Sequence, residues 1–567
     1  MMKRWLMVAG LVLVAAAFVM AVILNAPTRG EQTLTFASTY GAKTVTLEVS
    51  YWPKAGAEHA VLICPGYSCD RQKWRPMADL FAANGCAVMS FDYSGQGASD
   101  GVIGFDNAKT DHIPAEIDDA IEVLHKQSGI DYDHIILVGH SMGGRSILRL
   151  MQDWNNPEAE TRADAAHRVG NVILISPEVN YHFNAQASLF AGTSDDSQEP
   201  WHSYHADWTE GTNVYLYGST ADDIVSDEDI LAIYAHLGGM DVPQSGEWAA
   251  KQVNAAGSTI QVGITSGVLH SYQMYSPKFA AYMNEALNGI MGRDAGYAPN
   301  RMLLVYGSWF AGLAGLWMTL AALNMGRVRQ VNDTIPALTD AGRFLRRKAL
   351  MWLPGTLTAL VICCLCVCMP FGSPVMNIPY MCFIAGYGVV MVLAYRKGRF
   401  KGTEGKLPRL TLRTQGGAKQ TALCVLVTAI LCFVVWYVLR ATMYRLIPIN
   451  ARLFWVLLAA VLMAAGYYVS GCENDMMDQA GLHGGLRVAY NVITYVPLFL
   501  LVLFYLVLKS YSGLIGQVQN MVLMYVFCIP MGDFVRRSTG NRLWGAVTSA
   551  FLFQTLMITS AALISMF

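Results

Sequence analysis

Charge is scarce in this chain. Asp, Glu, Lys and Arg together make up 14% of 567 residues against 54% hydrophobic ones, and the two signs cancel to a formal net charge of -1. With no excess of either sign there is no electrostatic footprint for nucleic acid or for acidic polymers. So few charges, with a mean hydropathy of +0.33, exclude a wholly soluble protein, and the length exceeds one domain. A cysteine framework is also missing. Of twelve cysteines all but Cys64, Cys69 and Cys86 lie in or beside apolar stretches, as Cys363, Cys364, Cys366 and Cys368 do, where thiols pack as small apolar groups. Three is an odd number, so no multi-disulfide scaffold is implied, while a single bridge from Cys64 to Cys69 or to Cys86 stays open in an oxidising compartment. No repeat with a period of about 20 to 50 residues stands out, nor any low-complexity tract.

Long apolar runs are what the chain has instead. Lys3 and Arg4 precede one from Trp5 to Leu24, enough at about 1.5 Å per residue to cross a hydrocarbon core of about 30 Å. A cleaved signal needs small residues at the first and third positions before the cut, and Leu24 spoils the best site, Ala26. The reading is therefore an uncleaved signal anchor over 1–25. From about 31 to 299 the composition turns polar. Strands are expected at 34–39, 44–51, 60–64, 87–92, 134–138, 172–176, 214–217 and 260–265. The first two suit a hairpin at one edge; the later ones, separated by helical stretches, suit a mainly parallel sheet covered on both faces. Beyond Arg301 apolar spans are expected near 303–323, 350–369, 378–395, 422–439, 453–469, 488–508, 514–531 and 543–566. Basic residues crowd the loop with Arg327, Arg343, Arg346, Arg347 and Lys348 and that with Arg396, Lys397, Arg399 and Lys401. This bias puts both loops in the cytoplasm and 26–300 outside. The loop 471–487, with Glu473, Asp475 and Asp478, lacks the bias.

The chemistry is concentrated in Gly139-His140-Ser141-Met142-Gly143, which follows the apolar run "HIILV" and precedes "MGGRSILRLMQDW", a helix with Ile147, Leu148 and Met151 on one face. A G-x-S-x-G alone would occur by chance in about one chain in five of this length. Between a buried strand and a helix it suits a strained turn that lifts the serine hydroxyl clear of the sheet. Such a hydroxyl needs a base, and the base needs a carboxylate to hold its tautomer and stabilise its charged form. The turn after "VYLYG" offers Asp222 and Asp223, and the turn after "IQVGIT" offers His270. Each sits just past a predicted strand, in the order Ser, Asp, His, where open parallel sheets place their sites.

On these residues, together with "LICPGYS" (62–68), "SFDYSGQGASDG" (90–101), "GHSMGG" (139–144), "YGSTADDIVS" and "SGVLHS", residues 31–292 resemble an alpha/beta-hydrolase, closest in pattern to the monoacylglycerol lipase and serine aminopeptidase-like branch. The resemblance implies Ser141 as nucleophile, His270 as base, Asp222 rather than Asp223 as the acid, and the backbone N–H groups of Tyr67 and Met142 as an oxyanion hole. It departs from the pattern at Pro65, where the family usually has histidine. No cofactor and no metal is expected.

Other features have plainer readings. Asp92 suits a turn-shaping role, and His140 a packing one. His202, His205 and Asp207 have metal-ligand spacing but lie in a loop-like insert without cysteine partners. That insert, 178–212, carries Tyr181, Phe183, Phe190, Trp201, Tyr204 and Trp208; it would sit over the strand ends as a cap, lining an apolar pocket or packing on itself. Ionisable groups are scarce within the spans, which argues against a proton-driven pump. The expected fold class is α/β, an alpha/beta-hydrolase sheet with a cap insert (26–300), preceded by the anchor helix and followed by an all-α membrane domain of about eight helices (301–567). The expected function is a membrane-bound serine hydrolase cleaving a carboxylic ester of a lipid-like or acylated molecule. Its partners are that substrate and the lipid bilayer; nucleic acid is not one, and the oligomeric state is left open. A peptidase, thioesterase or acyltransferase could use the same triad. A transporter or sensor with a non-catalytic hydrolase-like domain is the reading from another class.

Overall fold

A computed structural model describes residues 1–564 apart from 41–42, 104–111, 156–163, 180–205, 326–334, 370, 375–376, 399, 441–446, 483–484, 487, 491, 495–502, 504–505, 508 and 510. The chain opens with α1 (Met2–Leu24). Then come β1 (Gln32–Tyr40), β2 (Lys43–Trp52), β3 (Ala60–Cys64), α2 (Arg75–Ala83), β4 (Ala87–Phe91), α3 (Ile113–Ser128), β5 (Ile135–His140), α4 (Met142–Trp154), β6 (Asn171–Ile175) and β7 (Asn213–Ser219). After α5 (Asp227–Gly238), β8 (Trp248–Val253) and β9 (Thr259–Thr265), a 3-10 helix (His270–Tyr275) leads into α6 (Pro277–Met291).

One nine-stranded sheet runs in the order β1-β2-β4-β3-β5-β6-β7-β9-β8. The six strands from β4 to β9 in that order are parallel, β1 and β2 form the expected edge hairpin, and β8 pairs antiparallel with β9. The eight expected strands are present. The additional one, β8, alternates half-buried and exposed positions at the opposite edge, so its sequence carries no buried face to betray it. Side chains alternate across the pleat. Leu62, Leu137, Leu174 and Leu216 pack with Ile117 of α3, Ile147 and Met151 of α4 and Ile230 of α5. Ile63, Val138, Ile173 and Tyr217 pack on the other face with Phe81 of α2 and Phe279 and Met283 of α6.

Among the described residues seven helical segments are long and apolar enough to cross a membrane: Met2–Leu24, Pro299–Asn324, Ala341–Val367, Ile378–Arg396, Gly417–Arg440, Ala451–Gln479 and Gly513–Thr539. After α1 they are built from α7 (Leu303–Asn324), α8 (Ala341–Leu350), α9 (Trp352–Val367), α10 (Ile378–Arg396), α11 (Gly417–Arg440), α12 (Ala451–Gln479), most of α13 (Tyr511–Leu523), a π turn (Met524–Cys528) and α14 (Ile529–Thr539). Leu353, Leu357, Val361, Leu426, Ile430 and Phe433 point outwards, as lipid contact requires. Helix α1 packs antiparallel along α7: Lys3 Nζ donates to Met325 O at 3.0 Å and Arg301 bonds Ile23 O at the other end.

The expected spans differ from the structure in three places. The one at 488–508 falls largely outside the described residues. The last is shorter: α15 (Arg542–Ile558) has 17 residues, and 561–564 then pairs with other backbone. The supposed loop 471–487 is helical to Gln479, so Glu473 and Asp475 are buried inside α12. Glu473 bonds Lys348 and accepts the Tyr395 and Tyr490 hydroxyls at 3.1 and 2.8 Å. Arg536 donates to Asp475 at 2.6 and 2.7 Å and Arg542 at 3.1 Å. A hydropathy window stops at the first acidic residues, whereas a helix continues through charges that find partners. The spans are therefore less empty of ionisable groups than their composition implied. A cavity lined by Lys348, Tyr387, Gly388, Gly466 and Glu473 lies in this bundle, and none of its lining residues belongs to the sheet domain.

Candidate active site

Strand β5 ends at His140 and α4 starts at Met142, which forces Ser141 into a φ of 53° and a ψ of -120°. A non-glycine residue held there costs on the order of 1–3 kcal/mol and persists only where its surroundings impose it. The imposing contacts are backbone ones: Ser141 N–H donates to Ile175 O at 3.0 Å, and Ser141 O accepts from Glu178 N–H at 3.0 Å. Cys64 pairs with Gly139 across β3 and β5, so the turn after β3 runs beside the serine. A Cβ at Gly143 would come within 2.2 Å of Cys64 O, which is why that position of the motif is glycine. The strain, the neighbouring strand and the first turn of α4 thus hold one hydroxyl, 7% exposed as a residue, at the rim of the sheet.

The rim collects two further groups. Ser219 at the end of β7 pairs with Thr265 at the end of β9, and the turns that leave them bring Asp222 against His270. His270 Nδ1 lies 3.1 and 2.9 Å from the two Asp222 carboxylate oxygens. Both side chains are enclosed, at 4% and 0% exposure. Asp222 is fixed in turn by Ile224 N–H and Val225 N–H on Oδ1 at 2.9 and 2.8 Å, and by Gln273 Nε2 on Oδ2 at 2.7 Å. Burial opposes a charged imidazole at 270, but the Asp222 carboxylate outweighs it and lifts His270 above its ordinary 6.5. Asp222 is held below its usual range: burial works against the carboxylate, and His270 with the turn N–H groups prevails.

His140 joins these parts. Its ring packs 4.5 Å from that of His270, and its Nε2 lies 3.3 Å from His270 O. Burial, then the neighbouring His270, pushes His140 down to about 3, so it stays neutral. The residue bonded into the strand just before the serine therefore carries the second histidine on its face. Among the described residues the Ser141 hydroxyl and the His270 ring share the rim without a hydrogen bond between them.

The turn 65–69 passes so close that a Cβ at Gly66 would lie 3.1 Å from Ser141 Cβ. The turn that carries Tyr67 therefore runs beside the serine despite Pro65. Met142, as the first residue of α4, has a backbone N–H with no intrahelical acceptor. Asp92 shapes its own turn, accepting Arg71 N–H at 2.7 Å and Ala98 N–H at 2.8 Å. Sequence reasoning passed over Gln273 and Glu178. The only sequence signal for Gln273 is its position three residues after His270, on the same short helix. Glu178 is buried and pairs with Arg145 of α4 at 2.7 Å. All twelve cysteines are free thiols. Of the insert 178–212, residues 180–205 lie outside the described residues, and with them Tyr181, Phe183, Phe190, Trp201, His202, Tyr204 and His205. Among the described residues no group of three or more His, Cys, Asp or Glu could hold a metal ion.

Part of the chain is similar to known proteins. Residues 55–197 match the profile of a family described as serine aminopeptidase, S33; the match contains Tyr67, Ser141 and Met142 and stops before Asp222 and His270. No curated protein matches the chain. Among solved structures, an esterase from Pyrococcus furiosus aligns at 16% identity over 47% of this chain and 94% of its own, with a TM-score of 0.32. A carboxylesterase from Lactobacillus plantarum aligns at 15% identity over 47% of this chain and 100% of its own, with a TM-score of 0.34. Esterase 2 from Thermogutta terrifontis aligns at 18% identity over 46% of this chain and 96% of its own, with a TM-score of 0.34. The polar part of this chain thus has an alpha/beta-hydrolase sheet order, is similar to the S33 serine aminopeptidase family over residues 55–197, and is joined to a set of apolar helices.

Proposed function

We propose that the protein is a membrane-bound serine hydrolase whose catalytic domain, 26–300, lies outside the cytoplasm and cleaves a carboxylic ester of a lipid-like or acylated molecule. Residues 1–25 and 301–567 hold it in the bilayer. The Ser141 hydroxyl attacks the ester carbonyl while His270 Nε2 takes its proton. Asp222, accepting Nδ1–H, holds the imidazole in the tautomer whose Nε2 is free to accept, and stabilises the imidazolium that forms. The developing oxyanion is met by the N–H groups of Tyr67 and Met142, the second at the positive end of α4, each contributing about 3 kcal/mol to the transition state. His270 then returns the proton to the leaving alcohol. In the second half-reaction water, deprotonated by His270, releases the acid from Ser141.

The observation that carries this reading is the enclosed His270–Asp222 pair on the same strand rim as a serine at positive φ. The membrane setting supports an amphiphilic substrate. Val268, Met274 and Tyr275, flanking His270, share one buried cluster with Met302, Val305 and Trp309 at the start of α7, and the Tyr272 hydroxyl donates to Gln519 of α13 at 3.3 Å. The basic residues between α7 and α9 and between α10 and α11, among them Arg343, Arg346, Arg347, Arg396, Lys397 and Lys401, favour the cytoplasmic side, which sets the other end of the spans, and the hydrolase domain with it, outside. The test is a fluorophosphonate probe on the full chain in detergent, followed by a series of esters of increasing acyl length. Labelling that vanishes in Ser141→Ala supports the enzyme; folded protein that takes no label and turns over no ester points to a binding domain.

A further inference from the structure

Segment 92–103, between β4 and α3, supplies no group to the proposed chemistry, yet it is bonded from both sides. On the inner side it holds the turn that carries Tyr67. Gln96, 1% exposed, accepts Cys69 N–H on Oε1 at 3.1 Å, two residues past Tyr67, and Asp92 binds Arg71 through both its N–H and its guanidinium. On the outer side the segment meets the helical part of the chain. Gly95 O accepts Arg452 Nη2 at 2.7 Å and Leu563 N–H at 2.8 Å. Ile103 N–H donates to Leu563 O at 2.9 Å, and Arg452 Nε donates to Ala561 O at 3.0 Å. Ser373 and Ile564 exchange backbone bonds of 3.0 and 2.9 Å, while Asn450 Nδ2 reaches Ala98 O and Asp100 Oδ1, each at 3.0 Å. The arch closes only because residue 95 is glycine: its φ is +73°, and a Cβ would lie 2.5 Å from Ile103 N.

Arg452 is the keystone. It is fully buried and is the second residue of α12, where a positive charge opposes the helix dipole. Helix stability therefore does not explain a cation there. Its planar fork does, because one rigid group bridges two separate backbone segments through two N–H donors.

We propose that Arg452 is a positioning residue for the oxyanion turn, acting from the membrane domain through Gly95 and Gln96 on the Cys69 N–H, so that the hydrolase site is complete only when the two domains are joined. This rests on the proposed ester hydrolysis at Ser141. An oxyanion donor works by being fixed before charge develops. The turn 65–69 hangs from β3 at one end; the arch fixes the other.

Two measurements on the full chain in detergent test it, using Arg452→Met and Arg452→Lys. Amide hydrogen exchange over 65–72 is expected to quicken in both, with β5 and β6 unchanged, because lysine replaces the rigid two-nitrogen fork with one flexible point charge. In ester turnover, kcat is expected to fall about tenfold or more, with KM and the acid limb of the pH profile held, since neither substrate binding nor His270 is touched. Unchanged exchange over 65–72 overturns the link, and faster exchange with wild-type kcat overturns its catalytic meaning. Wild-type protein that neither turns over ester nor takes label at Ser141 defeats the proposed function separately, and the exchange result still decides the mechanical link. Gln96→Met cuts the same line at its other end and replaces the Arg452 variants if they do not fold.

Discussion

Ser141, His270 and Asp222 owe their proposed roles to what surrounds them, so each can be perturbed separately. In the proposed mechanism His270 must be neutral to accept a proton, and Asp222 raises its pKa above 6.5 against the opposing effect of burial. The kcat/KM profile should therefore rise with pH on a limb whose midpoint lies above 6.5; a midpoint at or below that value would sink the assignment. The stability linkage has the opposite slope. A raised histidine contributes stability that is fully present below its unfolded value and is lost as pH climbs through the folded one, so turnover grows where this contribution fades. Asp222→Asn should cut kcat by about 10⁴ and move the limb to lower pH, while Ser141→Ala should abolish phosphonate labelling and leave thermal unfolding unchanged. Equal labelling of the alanine variant would place the nucleophile elsewhere.

At the level of elements, the site depends on close approach between backbones. The first turn of α4 lies against the end of β3 with only a glycine hydrogen between them, and a Cβ at Gly143 would come within 2.2 Å of Cys64 O and 2.6 Å of Pro65 O. Gly143→Ala should force β3 and α4 apart, costing about 1–3 kcal/mol in unfolding and lowering kcat further than KM, because the displaced turn carries Tyr67. Full kcat in this variant would show that the turn position is immaterial. The same principle joins α1 to α7. A Cβ on Gly315 would come within 2.7 Å of Gly10 O, and one on Gly10 within 2.6 Å of Thr319 Oγ1, the small-residue contact by which apolar helices associate in lipid. Gly315→Leu should lower the melting temperature in detergent and expose α1 to protease; unaltered melting and protection would mean that α1 is held by other contacts.

Across the whole molecule the two halves meet on polar bonds as well as apolar surface. Glu31, just before β1, accepts Arg75 of α2 at 2.5 Å and Arg440 at the end of α11 at 2.8 Å. Burial would raise this carboxyl, but the two guanidinium groups prevail and hold it at about 2. A depressed carboxyl contributes stability above its unfolded value of 4.5 that is lost as pH falls through about 2, so ordinary acidification leaves the joint intact. Glu31→Gln removes the charge while Arg75 stays buried, and should cost about 1–3 kcal/mol in thermal unfolding at neutral pH; an unshifted melting temperature would show the joint to be energetically idle. Since α1 packs along α7, the mature protein is expected to retain residues 1–25, which mass spectrometry of the purified chain reads directly.

The one-dimensional pattern determined what local physics governs. Apolar runs of membrane length, strands alternating with helices, and glycines flanking a serine at a strand end are properties of neighbouring residues, and they yielded the sheet, its hairpin edge, the helical half and the place of Ser141. What depends on distant partners was decided only in three dimensions. The edge strand β8 has no buried face to mark it, and Glu473 and Asp475 looked like loop residues because their cations, Lys348, Arg536 and Arg542, lie far off in sequence. Which of Asp222 and Asp223 faces His270 depends on a turn geometry that spacing alone does not specify. The bonds from Arg452 to Gly95, 357 residues apart, and from Gln273 to Asp222 carry no periodicity, because a hydrogen bond needs only that two groups meet, and where they meet is a property of the packed chain.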